Sequence, residues 1–247
     1  MNYLKTIIWS IGAKVYANKT LRKFLRPYYR KIVFKKQDLL KNERFKENGL
    51  RVIDEFDRTL SDNSISYILM FGSLLGAIRE KGFIKHDLDI DIAISNEDYS
   101  PKINTVLTKE GFKLLKSINV DGGFYGREET YEKDGIGIDI FYLYEYSDRQ
   151  KYVCCFRNFP GSLNFDHSIV KFGGLLPVQY YFPFDGKIER VLFENKLYLP
   201  IPRNAHEIAR CIYGDSYMIP QPNRIAGSFQ EYQNILSQKI GKYSSYI

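Results

Sequence analysis

The 247-residue sequence is poor in the side chains that build disulfide frameworks and zinc sites, with only three cysteines and three histidines. Two of the cysteines, Cys154 and Cys155, are neighbours, which gives neither a disulfide framework nor the ligand spacing of a zinc site. We therefore expect a protein of the reducing cytoplasm. A structural zinc completed by His167 is the alternative that this pattern leaves open.

Long apolar runs, internal repeats and Gly/Ser linkers are also missing. No apolar run approaches the roughly 20 residues that a membrane-spanning helix needs. Lys14 interrupts the one N-terminal apolar stretch, which argues against a signal peptide. Hydrophobic residues make up 44% of the chain, a content typical of a globular protein with a sizeable core.

Acidic residues are missing from residues 1–36, which hold ten Lys and Arg. Apolar side chains such as Trp9, Leu21 and Phe24 are interleaved with these cations. The pattern predicts a basic amphipathic helical arm over residues 1–37 that binds an anionic membrane surface. A basic helix that packs on the protein or pairs two subunits stays open. Nucleic acid is not an expected partner, because no nucleic-acid-binding module accompanies the arm.

A Gly-Ser turn near residue 70 is the first feature that points to chemistry. Residues 66–71 read as a buried strand, and the apolar spacing over residues 74–82 predicts a helix. Small residues at a strand-to-helix turn let backbone N–H groups approach a phosphate at the helix N-terminus. We therefore expect Gly72 and Ser73 to hold phosphate through their N–H groups.

Three aspartates on alternate residues follow this turn. Asp87, Asp89 and Asp91 would share one face of a strand whose other face is rich in isoleucine. Adjacent carboxylates repel one another, and a bound Mg²⁺ or Mn²⁺ would explain their proximity. At about 3.3 Å per residue, Asp87 and Asp91 would stand about 13 Å apart, too far to share an ion. The primary ligand pair would then be Asp87 with Asp89 or Asp89 with Asp91. The alternative is an edge strand whose acidic face is solvated.

Residues 136–143 read as a second strand that carries a carboxylate. Both of its faces are mostly apolar, which predicts a central strand and a buried Asp139. Aspartate is rarely buried unless it is paired or bound to metal. Asp139 is therefore a candidate metal ligand or base, and a salt bridge to a nearby cation is the alternative.

These motifs resemble the LicD family, which includes bacterial phosphocholine transferases and, more distantly, fukutin-related ribitol-phosphate transferases. The resemblance spans about residues 65–220. The chain has Lys85-His86 where the family usually has Pro-Trp, and Leu88 where an acidic residue is frequent. The matching segments are Gly72-Ser73, Leu75-Gly76-Ala77, Arg79, Gly82-Phe83-Ile84, Asp87/Asp89/Asp91, Gly137-Ile138-Asp139-Ile140-Phe141, Pro200-Ile201-Pro202 and Tyr213-Gly214-Asp215.

The resemblance implies an α+β fold of the nucleotidyltransferase superfamily, a mixed β-sheet with packed helices over residues 38–247. It implies metal-dependent transfer of a substituted phosphoryl group from a CDP-activated donor to a hydroxyl of a glycan or lipid-linked glycan, as in polysaccharide biosynthesis. A nucleotidyltransferase and a non-catalytic nucleotide-binding protein are the alternatives. The implied ligands of Mg²⁺ or Mn²⁺ are Asp87, Asp89, Asp91 and Asp139.

Arg79 and Lys85 are candidates to counter phosphate charge. We expect the protein to be cytoplasmic and peripheral on the inner face of the membrane. Residues 150–200, rich in aromatics and turns, would be an irregular region that recognises the acceptor. The remaining pattern predicts helices over 38–62, 101–109 and 204–213, and strands over 112–120 and 130–146.

Overall fold

The computed structural model describes residues 19–85, 87–220 and 233–246, with side chains from residue 40 onward. The chain divides into two compact units, Met1–Glu43 and Arg44–Ile247. Residues 1–18 of the predicted basic arm lie outside the described residues, and so do the side chains of its remainder. Membrane binding by the arm and the domain boundary at residue 37 therefore stay predictions.

Five α-helices and eleven strands form within the described part of the chain. The helices are α1 (Lys19–Asp62), α2 (Phe71–Arg79), α3 (Pro101–Lys109), α4 (Phe165–Phe172) and α5 (Ala205–Tyr213). The strands are β1 (Ile68–Leu69), β2 (Asp89–Ser95), β3 (Lys113–Val120), β4 (Gly126–Lys133), β5 (Ile136–Ser147), β6 (Gln150–Arg157), β7 (Leu176–Pro183), β8 (Ile188–Phe193), β9 (Leu197–Pro202), β10 (Gln233–Ile235) and β11 (Lys242–Ser245).

Nine of these strands form one curled, mixed sheet, which confirms the predicted α+β fold. The main path runs β10-β7-β6-β5-β4-β3-β11, and β2 joins it beside β5 with β1 at its outer edge. Strands β8 and β9 pair separately as a hairpin. Most neighbours are antiparallel, whereas β2 runs parallel to β5.

Strand β5 is central, as predicted. Its first half lies between β2 and β4, and its last residues pair with β6. Ile90 and Ile138 are Cα partners in the parallel ladder, and both are fully buried in the main core. Because side chains alternate along a strand, the intervening aspartates project from the opposite face of the sheet.

Helix α1 is longer than the predicted helix over residues 38–62, but it ends at the predicted position before Asn63. Phe56 is fully buried on this helix and packs edge-on against Tyr67 and Phe112. Helices α3 and α5 also match the predicted positions closely. Among the described residues, no helix combines the length and apolarity that crossing a membrane requires.

Two sequence expectations about local structure were wrong. The predicted strand over residues 66–71 is only two residues long, because Phe71 already begins α2 with a left-handed φ of 43°. The segment 150–200 is not irregular, since β6, α4, β7, β8 and most of β9 fall in it. Its alternating apolar side chains, such as Val153 and Phe182, are buried in the sheet, and Pro177 and Pro200 lie within strands β7 and β9.

Candidate active site

The turn from β1 into α2 is hydrogen-bonded directly to Asp91 of β2. Gly72 N–H donates to Asp91 Oδ2 at 3.0 Å, and Asp91 N–H donates to Ser73 Oγ at 3.0 Å. Met70 N–H also donates to the Asp91 carbonyl at 3.0 Å. The Gly-Ser turn therefore fixes the position of the aspartate, and both the Gly72 N–H and the Ser73 hydroxyl are engaged by it.

Backbone strain occurs at the same turn. Phe71 is a non-glycine residue in the left-handed region, a conformation that costs of order 1 kcal/mol or more and persists only where the surroundings impose it. The Phe71 ring is buried and packs edge-on against Phe141 of β5, with ring centroids 4.8 Å apart. This packing holds the start of α2 over the strand that carries Asp139.

Asp87 precedes strand β2 and is not part of it. Its Oδ2 accepts the Ile84 N–H at 2.8 Å, and its own N–H donates to the Ile84 carbonyl at 2.9 Å. A Cβ placed on Gly72 would stand 3.3 Å from Asp91 Oδ2 and 3.5 Å from Asp87 Oδ1. The two carboxylate oxygens are thus at most about twice that distance apart, across Gly72.

The extended strand that underlay the expected separation of about 13 Å between Asp87 and Asp91 does not include Asp87, so that expectation does not hold for their side chains. That value assumed an extended chain through both residues at about 3.3 Å per residue. The turn closed by the Ile84 and Asp87 hydrogen bonds brings Asp87 back towards α2 instead. Asp87 and Asp91 consequently lie on two sides of one glycine.

Asp139 on β5 lies beside Asp91 in the parallel ladder, where the two are Cα partners. Adjacent strands lie about 4.8 Å apart, so these side chains are neighbours on one face of the sheet. Asp139 is half-buried, and its Oδ1 accepts a hydrogen bond from the Thr130 hydroxyl of β4. It is less buried than the sequence predicted. Asp89, two residues before Asp91 on the same face, is exposed.

Burial and the charges of neighbouring carboxylates raise the pKa values of Asp91 and Asp87. Burial raises the pKa of Asp91 well above its usual range, and the charges of Asp89, Asp139 and Asp87 raise it further against the Gly72 N–H bond. Burial likewise raises the pKa of Asp87 to about 6, although the Ile84 N–H bond and Arg79 oppose the rise. Several carboxylates thus stand close enough to disfavour one another's ionisation, an arrangement that a cation would relieve.

Of the two predicted phosphate-binding cations, Arg79 lies close to the aspartates. Its side chain is only 10% exposed and pairs with Glu80 at 2.8 Å. Its Nη1 donates to the Tyr217 carbonyl at 3.3 Å, and its charge lowers the pKa of Asp87. Lys85 is exposed in the turn before Asp87. The phosphate-binding roles of these residues, and of Gly72 and Ser73, stay predictions.

Sequence reasoning missed a second buried carboxylate beside Asp139. Glu128 of β4 is 7% exposed and accepts a hydrogen bond from Lys116 Nζ at 3.0 Å. Burial raises the pKa of Glu128 to about 7, opposed by the Lys116 charge and reinforced by Asp139. No local motif identifies these residues, because the β3–β4–β5 pairing alone brings them next to Asp139.

Tyr213, the last residue of α5, was noted in the sequence only as part of a motif. Burial raises its pKa, and the charges of Asp91 and Asp87 raise it further. The C-terminal end of α5 therefore lies near the aspartates. Among the described residues, which leave out His86, no three or more His, Cys, Asp or Glu side chains already form an arrangement that could hold a metal ion.

Comparison with known proteins points to the same segment. Residues 64–179 match the LicD/FKTN/FKRP nucleotidyltransferase domain. The chain is 27% identical over 109 residues to the ribitol-5-phosphate transferase FKTN of Mus musculus, which is 42% of this chain and 22% of that protein. It is 44% identical over 50 residues to the lipopolysaccharide cholinephosphotransferase LicD of Haemophilus influenzae, which is 20% of this chain and 19% of that protein.

A third relative is an uncharacterised protein of Caenorhabditis elegans, 33% identical over 116 residues, or 44% of this chain and 30% of that protein. The chain thus spans less than a third of the length of each of these relatives. The matched segment contains the Gly-Ser turn, the aspartates of β2 and Asp139 of β5. The match over residues 64–179 therefore confirms, for that segment, the resemblance to the LicD family drawn from the sequence motifs.

Proposed function

We propose that the protein is a metal-dependent transferase that moves a substituted phosphoryl group, such as phosphocholine or a polyol phosphate, from a CDP-activated donor to a hydroxyl of a glycan or glycolipid. Two relatives are named as transferases of ribitol 5-phosphate and of choline phosphate, which are both phosphate esters of an alcohol. The observation that carries the proposal is the pairing of Asp91 with Asp139 on parallel strands, with Asp87 across Gly72.

The aspartates have the ligand chemistry that a hard divalent cation prefers. Carboxylate oxygens are the ligands that Mg²⁺ and Mn²⁺ prefer, and such sites share the ion with substrate phosphates. When bound, the ion supplies positive charge to a diphosphate and to the nucleotide that leaves. Asp89 and Asp91 are the proposed primary ligands, and Asp87 joins them. Asp139 would serve either as a ligand or as the base that receives the acceptor proton.

The remaining residues would position the donor, since phosphoryl transfer depends chiefly on alignment and charge stabilisation. Arg79 lies beside the aspartates, is paired with Glu80, and would counter phosphate charge. The exposed Lys85 would do the same from the turn before Asp87. The Gly72 N–H can bind a phosphate oxygen only if Asp91 Oδ2 releases it. We therefore expect donor binding and a change in the Asp91 hydrogen bonds to occur together.

A CMP-release assay with Mg²⁺ over CDP-choline, CDP-ribitol and CDP-glycerol tests this function. We expect CMP from at least one donor, and near-total loss in the Asp89→Asn variant while the fold persists. The exposed Asp148→Asn variant, in the turn between β5 and β6, is the matched control and should keep its activity. Undiminished turnover by Asp89→Asn would contradict the assignment of the site.

A nucleotidyltransferase is the second candidate, favoured by the class of the matched domain. It would use the same carboxylates to transfer a nucleoside monophosphate and would release pyrophosphate from a nucleoside triphosphate. Product analysis separates the two, because CMP release supports the first and pyrophosphate release the second. Absence of both products, together with failure to bind Mg²⁺ or Mn²⁺, would favour a non-catalytic binding protein.

The lipid-linked acceptor would place the enzyme at the inner face of a membrane, with the basic arm of residues 1–37 as the contact. Ten cations and no acidic residue in residues 1–36 support this proposal, because each basic residue near an anionic surface contributes about 1 kcal/mol. Co-sedimentation of the full chain with anionic vesicles should exceed that with neutral vesicles. Equal binding to both vesicle types would contradict the electrostatic contact.

A further inference from the structure

The β3–β4–β5 ladder places a threonine beside the aspartate of β5. Thr130 is the Cα partner of Asp139 on one side and of Lys116 on the other. Directly opposite residues in neighbouring strands share a face of the sheet, so the three side chains form a row. Thr130 is 9% exposed, which limits the access of water to its hydroxyl.

The Thr130 hydroxyl donates to Asp139 Oδ1. The last torsion of an aspartate side chain is broad and poorly defined by sterics alone. A hydrogen bond to one carboxylate oxygen therefore selects the orientation of the group. Because the bond engages Oδ1, Asp139 can offer Oδ2 to a cation.

Lys116 is a second donor on this face of the sheet and could compete with Thr130 for Asp139, but Glu128 accepts its hydrogen bond. Lys116 Nζ donates to Glu128 Oε1 at 3.0 Å, while its charge also acts on Asp139. A direct Lys116–Asp139 ion pair would neutralise the carboxylate and compete with a metal. Thr130 is a neutral donor, so it orients Asp139 without pairing the carboxylate with a positive charge.

We propose that Thr130 is a positioning residue that orients Asp139 towards a bound divalent cation. The inference rests on the proposed function, since it presupposes a cation at the aspartates. Partners that hydrogen-bond to metal-ligating side chains typically contribute 10- to 100-fold to metal affinity. We expect an effect of about that size when the Thr130 hydroxyl is removed.

Isothermal titration with Mn²⁺ of the full-length wild type and variants tests the inference. Thr130→Val keeps the shape of the side chain and should weaken Mn²⁺ binding about 10- to 100-fold. Thr130→Ser keeps the hydroxyl and should bind nearly as the wild type does. Thr59→Val, which removes another buried hydroxyl bonded within α1 at 2.7 Å, is the control and should leave Mn²⁺ binding unchanged.

Unfolding temperatures of the metal-free variants show whether each one folds. If Thr130→Val is unstable, a comparison of Thr130→Ala with Thr130→Ser measures the effect of the hydroxyl instead. Equal Mn²⁺ affinity with and without the hydroxyl would overturn the inference. If Asp89→Asn abolishes Mn²⁺ binding but Thr130→Val does not, the positioning role fails and the proposed function stands. If the wild type takes up no Mn²⁺, both fail.

Discussion

Replacing Asp87 by asparagine should stabilise the metal-free protein at neutral pH. Burial raises the pKa of Asp87 from 3.8 to about 6. An acid with a higher pKa in the folded chain than in the unfolded chain destabilises the fold as the pH rises through that interval. At about 1.4 kcal/mol per pH unit, the wild type should lose about 3 kcal/mol of unfolding free energy from this group by neutral pH.

Asparagine avoids this loss because it carries no charge. Its side-chain oxygen can still accept the Ile84 N–H bond, which Asp87 Oδ2 accepts at 2.8 Å. The attraction between Asp87 and Arg79 is lost, which reduces the gain. We therefore expect Asp87→Asn to exceed the wild type by about 1–3 kcal/mol near pH 8 and to match it near pH 4.

Urea unfolding in the presence of a chelator measures this difference at the two pH values. The exposed Asp148→Asn variant controls for the loss of one surface charge. Added Mg²⁺ should stabilise the wild type more than Asp87→Asn, since a ligand that binds only the folded state raises its stability. A loss of stability at pH 8 in the metal-free variant, or an equal difference at both pH values, would refute the reasoning.

Three further changes test other parts of the structure. Gly76→Ala should lower the free energy of unfolding by about 1–3 kcal/mol, because the added Cβ would stand 2.4 Å from the Gly82 carbonyl oxygen. Gly49→Ala, whose Cβ would have no contact under 3.5 Å, is the control and should be neutral or slightly stabilising in urea unfolding. Ser73→Ala leaves the Asp91 N–H without its acceptor and should cost about 1–3 kcal/mol; an unchanged melting temperature would contradict this. Burial raises the pKa of Glu128 from 4.5 to about 7, so the wild type should lose stability as the pH rises through that range. Glu128→Gln should lessen that loss, and an identical pH dependence of urea unfolding would count against it.

The sequence predicted the features that depend on local pattern. Period-two alternation identified β2 and the shared face of Asp89 and Asp91, and the Gly-Ser turn indicated a helix here, although α2 begins earlier, at Phe71. The position of Asp87 could not be predicted, because the same alternation continues into a turn that only the Ile84 hydrogen bonds reveal.

The positions of Thr130 and Glu128 beside Asp139 were beyond sequence reasoning for a different reason. Their proximity to Asp139 depends on the register of β4 against β5, which is a pairing between distant segments. The strands within residues 150–200 were hidden because prolines, which usually mark loops, also occur inside β7 and β9 at Pro177 and Pro200. Local pattern therefore predicted the strand and the turn that carry the aspartates. The pairing of distant strands determined which polar side chains lie beside them.

Binding of a divalent cation to the aspartates of β2 and β5 is the claim on which the account depends most. Calorimetric titration of the chelator-treated protein with Mg²⁺ and Mn²⁺ measures it directly, with Asp91→Asn as the test and Asp148→Asn as the control. We predict that the wild type and Asp148→Asn bind the ion alike and that Asp91→Asn loses most of the affinity. Undetectable binding by the wild type, or equal affinity in Asp91→Asn, would contradict the account.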